Sequence, residues 1–446
     1  MAMIKLLGKV TDICRGAWGQ IRALRAVRGK SVAEIEAYQF RELKRLIRFA
    51  WEHIPFYRSY WEQHGFSPER LRQLRDFSLI PCIDKEIVRA HYEEMVPRGY
   101  GLHRLTKVTS GGTTGVPLNF YLNQSVAHGR ELVHQPWTYW TTCRYKLGID
   151  RVVILRGARV PDALVRQGIY WHKSHGYRGR GLLMSSFHLT EATYSRYIEQ
   201  IRRLSPKFIV AYPSCLTVLC SLMKKHGEAA LGGLRGVICS SEMVYDWQRN
   251  LVREVLGVEI YSFYGHSEKS VSAIPDDRHR MLFEPSYGFC EFLDEDLNAV
   301  DTAGAVAQIV STGFQNYYMP FIRYKTSDYV RVGDHPPLGF THIAQEIVGR
   351  AQDFVYDRDG NMLPFTCSDM AVWNINGVEA YQYLQYEYGK LLLHLEVNDD
   401  FDTADLPKIQ AEAEYIFSNC RIEIELVDKI ERTVSGKFRY FVQAIK

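Results

Sequence analysis

Residues 108–120 read VTSGGTTGVPLNF, which sets Ser110, Gly111, Gly112, Thr113, Thr114 and Gly115 in one uninterrupted run. Glycine admits backbone conformations other residues resist and lets a ligand approach the main chain. Successive amides in such a turn can aim their N–H groups into one concavity, whose natural guest is an anion, most often a phosphate. The hydroxyls add neutral donors or a place beside a hydrated metal ion. A flexible loop holding polyphosphate is the chemical expectation. No lysine follows the last glycine, and the residues after Pro117 read as a strand, so the run does not fit a Walker P-loop. Alone, it could equally be a plain surface turn.

Four more polar islands follow, each at the end of an expected strand or in a connecting loop. They are CSSE at 239–242, YSFYGHSE at 261–268, RYKTSD at 323–328 with Gly349-Arg350, and RTVSGKFR at 432–439. Tyr264 beside Gly265 can stack on a base; Glu268 can hold a divalent cation against phosphate oxygens; Asp328 can accept two ribose hydroxyls; Arg350 can add a charge-assisted contact. Taken singly, Lys437 reads as a solvated strand-end charge and Glu268 as an acid favoured by a helix start. Their joint appearance in order favours a nucleotide site.

These islands need elements to carry them. Residues 32–98 look largely helical, with amphipathic spacing in ELKRLIRFAWEHI and QHGFSPERLRQLRDF and a helix start at SPE. From 105 onward strand-like runs such as RVVILRG, KFIVAYP, LRGVICSSE and VEIYSFYG alternate with helical ones. That rhythm predicts a parallel α/β sheet, whose sites gather at the carboxyl ends of the strands. Residues 285–348 turn strand-rich. DFVYDRDGNMLP reads as a hairpin turning at Asp359 and Gly360, followed by strands, the helix DLPKIQAEAEYIFSN and the strand RIEIELVD. The expected division is a basic amphipathic segment over 1–31, a large α/β domain over 32–350 and a small α+β domain over 351–446.

At 446 residues the chain is long enough for two or three units. No run of about eighteen apolar residues exists to span a membrane. Nine scattered cysteines without a CxxC pair argue against a disulfide framework or a zinc site and favour a reducing, cytoplasmic compartment. A net charge of only +4 gives no support for nucleic acid as a partner. The charge is uneven: residues 1–30 hold seven Lys/Arg against the single acid Asp12. Within them Ile4, Leu7, Val10, Cys14, Trp18, Ile21 and Leu24 recur at helical spacing. That helix could lie peripherally on an anionic inner-membrane face. The plainer, favoured reading packs its apolar stripe on the protein's own body or a second subunit, as in a homodimer, since Gly16 and Gly19 weaken an isolated helix.

In this order the islands resemble the motifs of the adenylate-forming superfamily of acyl-CoA synthetases, peptide-synthetase adenylation domains and luciferases. More narrowly, HIPFYRSYWEQHGF, FSLIPCIDKEIVR and GAVAQIVSTGFQNYYMPFIRYKTSD resemble the phenylacetate-CoA ligase and CapK-like branch, from about residue 45 to the end. The resemblance implies a large amino-terminal α/β domain with a small mobile α+β carboxy-terminal lid. It also implies ATP and Mg2+ as cofactors, a small carboxylic acid as substrate, and coenzyme A or an amine as acceptor. It assigns Ser110 to Gly115, with Thr113 catalytic, to the ATP phosphates. Ser240, Ser241, Glu242, Tyr264, Gly265 and Ser267 fall at the nucleotide, Glu268 at magnesium, Asp328 at the ribose, Arg350 at ribose or phosphate, and Lys437 at the adenylation step. Tyr212, Pro213, Ser214, Phe263 and His266 fall at the acid pocket, where core packing is an even alternative for the first four and a hydrogen bond to a neighbouring loop for His266. Two positions depart from the pattern: Ser327 stands where many relatives have glycine, and Gln352 where they often place an acidic hinge residue. CapK-like members are linked by name to surface polysaccharides, so an amide ligase with an amine acceptor is one alternative. A nucleotide-binding assembly module without turnover is another.

Overall fold

The aliphatic runs Val152–Arg156, Phe208–Ala211 and Gly236–Cys239 are buried on both faces, as strands of a parallel sheet covered by helices must be. In the computed structural model they form the middle of a six-stranded sheet, in the order Trp171–Ser174, Gly181–Ser185, Val152–Arg156, Phe208–Ala211, Gly236–Cys239, Ile260–Ser262. All neighbours pair in parallel except the edge strand Trp171–Ser174. The structure describes residues 2–99, 105–109, 118–158, 160–174, 180–189, 191–314, 316–350, 354–360, 362–364, 371–372, 375–417, 419–431 and 439–445.

Two compact units emerge: Gly148–Ser262 with Val348–Lys446, and Met1–Leu147 with Phe263–Ile347. In the first, helices Tyr194–Leu204, Pro213–Lys225 and Asp246–Leu256 lay Tyr197, Ile198, Ile201, Leu216, Leu219, Met223 and Val252 on the parallel sheet to make one core. The same unit holds the expected hairpin, Phe354–Tyr356 against Met362–Pro364, and a four-stranded sheet in the order Arg421–Val427, Lys390–Val397, Val378–Glu387, Phe441–Gln443. Helix Leu406–Ile416 buries Ile409 and Ala413 in that sheet's core. Tyr440 sets its ring edge-on to Tyr245 and Trp247.

The other unit is built on a seven-stranded sheet ordered Gly288–Leu293, Val306–Gly313, Tyr324–Val332, His342–Arg350, Met281–Phe283, Ser272–Pro275, Tyr264–Gly265. An aromatic-rich core of Phe56, Tyr57, Trp61, Phe66, Phe77, Phe120 and Phe321 fills the space between it and the helices Val32–His53 and Pro55–Gln63. The segment after Gln63 departs from its amphipathic pattern. It forms only the 3-10 turns Pro68–Arg70 and Leu74–Leu79, and Ser67 makes no side-chain cap. Its apolar residues Phe66, Leu71 and Phe77 are buried one at a time by that core, which needs no continuous helical face.

Arg323 is 1% exposed. Its guanidinium forks onto Glu291 at 3.1 and 2.9 Å and donates to the carbonyls of Ser78 and Ile80. Ile83 clips the same place through backbone bonds to Arg323 and Lys325. Burial raises the Glu291 carboxyl, with Arg323 opposing that rise. Arg323→Met should destabilise the protein by about 3–5 kcal/mol, because it strands a buried carboxylate. Urea titration of the variant beside Arg323→Met/Glu291→Leu checks this: the double variant should recover most of the loss.

The amino-terminal helix Ala2–Val27 packs on helix Gln124–Cys143, and only part of the stripe its hydrophobic spacing marks turns inward. Asp12, Gly16, Gln20, Ala23 and Val27 are buried, whereas Val10, Cys14 and Trp18 are exposed. A Cβ at Gly16 would strike the Val126 carbonyl oxygen, and one at Gly129 the carbonyl oxygen of Ile13. The two backbones meet through glycines, and Asn123 donates to Asp12 Oδ2 at 3.1 Å beside them. Small residues leave no trace in a hydrophobic period; of the spaced apolar residues, Leu24 is buried and Ile21 half-buried. Among the described residues no helix is long and apolar enough to cross a membrane.

Candidate active site

The expected nucleotide residues fall in both units, and each group is built separately. In the parallel-sheet unit, Cys239 ends its strand and the chain turns through Ser240, Ser241 and Glu242, with Ser241 at φ +73°. Glu242 reaches the start of helix Pro213–Lys225, where its carboxylate accepts from the Ser214 amide at 2.9 Å and the Ser214 hydroxyl at 3.1 Å. An acid at a helix start satisfies an amide that the helix leaves over and complements the dipole. A residue expected at the nucleotide is thus bonded to one expected at the acid pocket. Tyr212 precedes that helix, with Pro213 in its first turn. Burial raises the Tyr212 phenol, and Arg156 opposes that rise.

In the antiparallel-sheet unit, two segments run past each other. Tyr264 donates its hydroxyl to Asp328 Oδ2 at 2.7 Å, and Tyr324 donates its own to Glu268 Oε1 at 3.4 Å. The start of 264–268 therefore meets the end of 324–328 and the reverse, which joins two islands far apart in sequence. Tyr264 sits on the edge strand Tyr264–Gly265 and packs its ring against Phe283, while burial and the Asp328 carboxylate push its phenol well above the usual range. Asp328 lies in strand Tyr324–Val332, its amide bonded to Thr326 Oγ1. Phe263 packs edge-on against Tyr139.

Glu268 is 6% exposed. Burial pushes its carboxyl upward, but His266, the residue's own amide and Lys85 outweigh that and hold it at about 2. His266 Nδ1 lies 3.1 Å from Glu268 Oε2, an ion-pair contact without hydrogen-bond alignment, and its Nε2 is 3.2 Å from Ser270 Oγ. His266 is thereby bonded into its own loop. An ionised, buried carboxylate oxygen suits a hard cation such as Mg2+, which takes one or two carboxylates and fills its shell with water and phosphate oxygens. Among the described residues no cluster of three or more His, Cys, Asp or Glu forms a self-sufficient metal cage.

Ser327 has φ +65°, in the left-handed region that favours glycine. Ser327→Gly should leave stability unchanged or raise it by up to about 1 kcal/mol. Ser327→Val should cost about 1–2 kcal/mol, because a β-branched side chain resists this region. Thermal unfolding of the pair checks the sign.

A set of charged residues behind the Glu268 loop escaped the sequence reading. Lys269 donates to Glu131 Oε1 at 2.8 Å, His134 Nε2 lies 2.6 Å from Glu284 Oε2, and Ser272 donates to the same oxygen. Burial pushes the His134 imidazole down, but Glu284 and Glu131 outweigh it and hold it at about 9, against an ordinary 6.5. Because the folded value lies above the unfolded one, the stabilisation is full below about pH 6.5 and is lost as pH rises through about 9. It amounts to something on the order of 3 kcal/mol. Stability measured from pH 6 to 10 should fall across that window in the native chain and stay flatter in His134→Gln. Glu131 and His134 are one helical turn apart, a spacing too common to signal anything without Glu284 and Lys269.

Ser110 to Gly115, Gln352 and Lys437 lie outside the described residues, as does the side chain of Arg350.

Residues 355–444 match the family described as the CapK C-terminal domain. Protein CapK of Staphylococcus aureus is 19% identical across 100% of this chain and 96% of its own length. The phenylacetate-coenzyme A ligase of Thermus thermophilus is 26% identical over 82% of each chain, and that of Escherichia coli is 25% identical over 75% of each. A crystal structure of 2-hydroxyisobutyryl-CoA ligase in complex with R3-HIB-AMP superposes with a TM-score of 0.71 at 19% identity, covering 94% of this chain and 91% of that one. The same ligase with 2-HIB-AMP and CoA, in an open conformation, gives 0.57 at 20% identity over 92% of each chain. The resemblance read from the motifs holds: this chain is a relative of Protein CapK and the phenylacetate-coenzyme A ligases, and it has the fold of the adenylate-forming CoA ligases.

Proposed function

We propose that this chain is an ATP- and Mg2+-dependent ligase that adenylates a carboxylic acid and passes the acyl group to a nucleophile, coenzyme A in the first instance. One carboxylate oxygen of the acid attacks the α-phosphorus, the bond to the β-phosphate oxygen breaks and pyrophosphate leaves. The acceptor's thiol or amine then attacks the acyl carbon and releases AMP. The observation that carries the reading is the antiparallel meeting of 264–268 with 324–328. It joins a base-stacking candidate to a ribose-binding candidate and leaves an ionised Glu268 on the same pair of segments.

In this reading Tyr264 and Asp328 hold the nucleoside, with Ser240, Ser241, Glu242, Gly265 and Ser267 framing it. Glu268 holds Mg2+, which when bound draws charge from the phosphate oxygens. Ser110–Gly115, Thr113 among them, cradle the phosphates through their amides, and Arg350 contacts ribose or phosphate. Tyr212, Pro213, Ser214, Phe263 and His266 line the acid site. Residues 351–446 act as a lid that delivers Lys437 and withdraws it after adenylation, exposing the acyl-adenylate to the acceptor.

Incubating the protein with ATP, Mg2+, hydroxylamine and a panel of aryl, fatty, amino and sugar acids tests this. A hydroxamate appearing with AMP and pyrophosphate supports the reading and names the acid; ADP instead would mean phosphoryl transfer. Tight ATP binding with no pyrophosphate from any acid would favour an assembly module. A second reading, an amide ligase with an amine acceptor in surface polysaccharide biosynthesis, is favoured by the match to Protein CapK along the whole chain. With the acid in hand, the relative rates with coenzyme A and with amino sugars or amino acids decide between them.

A further inference from the structure

The amino-terminal helix has two faces, and the protein uses one. Asp12, Gly16, Gln20, Ala23 and Val27 are buried, whereas Val10 is 50% and Trp18 62% exposed, with Cys14 exposed between them. At about 100° per residue, Cys14 stands roughly opposite the buried Asp12, Gly16 and Ala23, and Val10 and Trp18 lie within about 40° of Cys14 on either side. Arg25 and Arg28 fall on the same outward side, and Lys9, Arg15 and Arg22 are exposed as well. The single acid of the segment, Asp12, is turned inward, where Asn123 donates to it at 3.1 Å and Arg15 lies 3.6 Å away. The outward face is therefore apolar along its middle and positive along its length, with no carboxylate of its own.

We propose that this face seats the protein on an anionic lipid surface. Val10, Cys14 and Trp18 enter the headgroup region, where an indole ring is well accommodated, while the arginine stems lie along the apolar strip and carry their guanidinium groups to lipid phosphates. A second copy of the chain is the poorer occupant, because a symmetric contact would set this positive face against itself. The close glycine contact with helix Gln124–Cys143 holds the helix against its own unit, so that docking would anchor that unit and not a loose tail. The inference does not depend on the reaction proposed above.

Flotation of the full chain with vesicles of phosphatidylcholine, alone or mixed with phosphatidylglycerol, provides the test. Binding is expected to the mixed vesicles, to weaken with salt, and to be weak on phosphatidylcholine alone. Trp18→Ser should lower it at least tenfold. Arg25→Gln and Arg28→Gln should each lower it about fivefold, the effect of one basic residue at an anionic surface. All three side chains point away from the body, so circular dichroism and thermal unfolding should match the native chain. Absence of binding, binding indifferent to lipid charge, or binding unchanged by Trp18→Ser would overturn the proposal. So would a native dimer that Trp18→Ser converts to a monomer, which would assign the face to a second copy.

Discussion

Lys437→Ala is expected to slow acyl-adenylate formation by about a hundred- to a thousandfold while changing ATP affinity by less than about threefold. As the carboxylate attacks the α-phosphorus, negative charge gathers on the phosphoryl oxygens that no ground-state contact need match. A cation presented by a closing domain meets that charge only near the transition state, so its loss appears in the rate and not in binding. Pyrophosphate release in single turnover, with ATP affinity by calorimetry, separates the two. Transfer from chemically prepared acyl-AMP to the acceptor should be nearly untouched. Full adenylation in the variant would remove Lys437 from the reaction and with it the lid role of residues 351–446.

Glu268→Gln should lower kcat/KM for ATP by about a hundredfold or more, with partial recovery at high Mg2+. The amide keeps the shape of the side chain and can still accept from Tyr324, but it brings no charge to a divalent cation. Because the native carboxyl is held at about 2, the native pH profile should show no limb from it near pH 4.5. Loss of the His266 contact also releases the imidazole, so Glu268→Gln/His266→Gln serves as the control. If the double variant alone regained Mg2+ affinity, the loop geometry and not the charge would be the cause. A single variant with native Mg2+ dependence would place the cation elsewhere.

What could be read in the sequence was what depends on neighbours in the chain. The alternation of apolar runs with amphipathic stretches specified a parallel sheet with covering helices, and Asp359-Gly360 marked a hairpin turn that the structure contains. Each polar island alone could be an ordinary turn or a solvated charge, and they stood out by their joint appearance in order. Their order carried the resemblance to a family, but nothing in YSFYGHSE or RYKTSD says that one will touch the other.

The tertiary structure decided everything that depends on partners distant in sequence. Tyr264 and Asp328 became one arrangement only when two sheet segments passed in opposite directions. His134 gained its charge from Glu284 on a remote loop, and a pattern reading of the helix sees only an ordinary polar residue. Ser327 carries a positive φ that its side chain does not advertise. The amino-terminal helix is the sharpest case. Its sequence correctly marked an amphipathic, basic helix, but hydrophobic periodicity assumes that large apolar residues make the intramolecular contact. Here Gly16 and Gly129 let two backbones touch, so the smallest residues face inward and Val10, Cys14 and Trp18 face out.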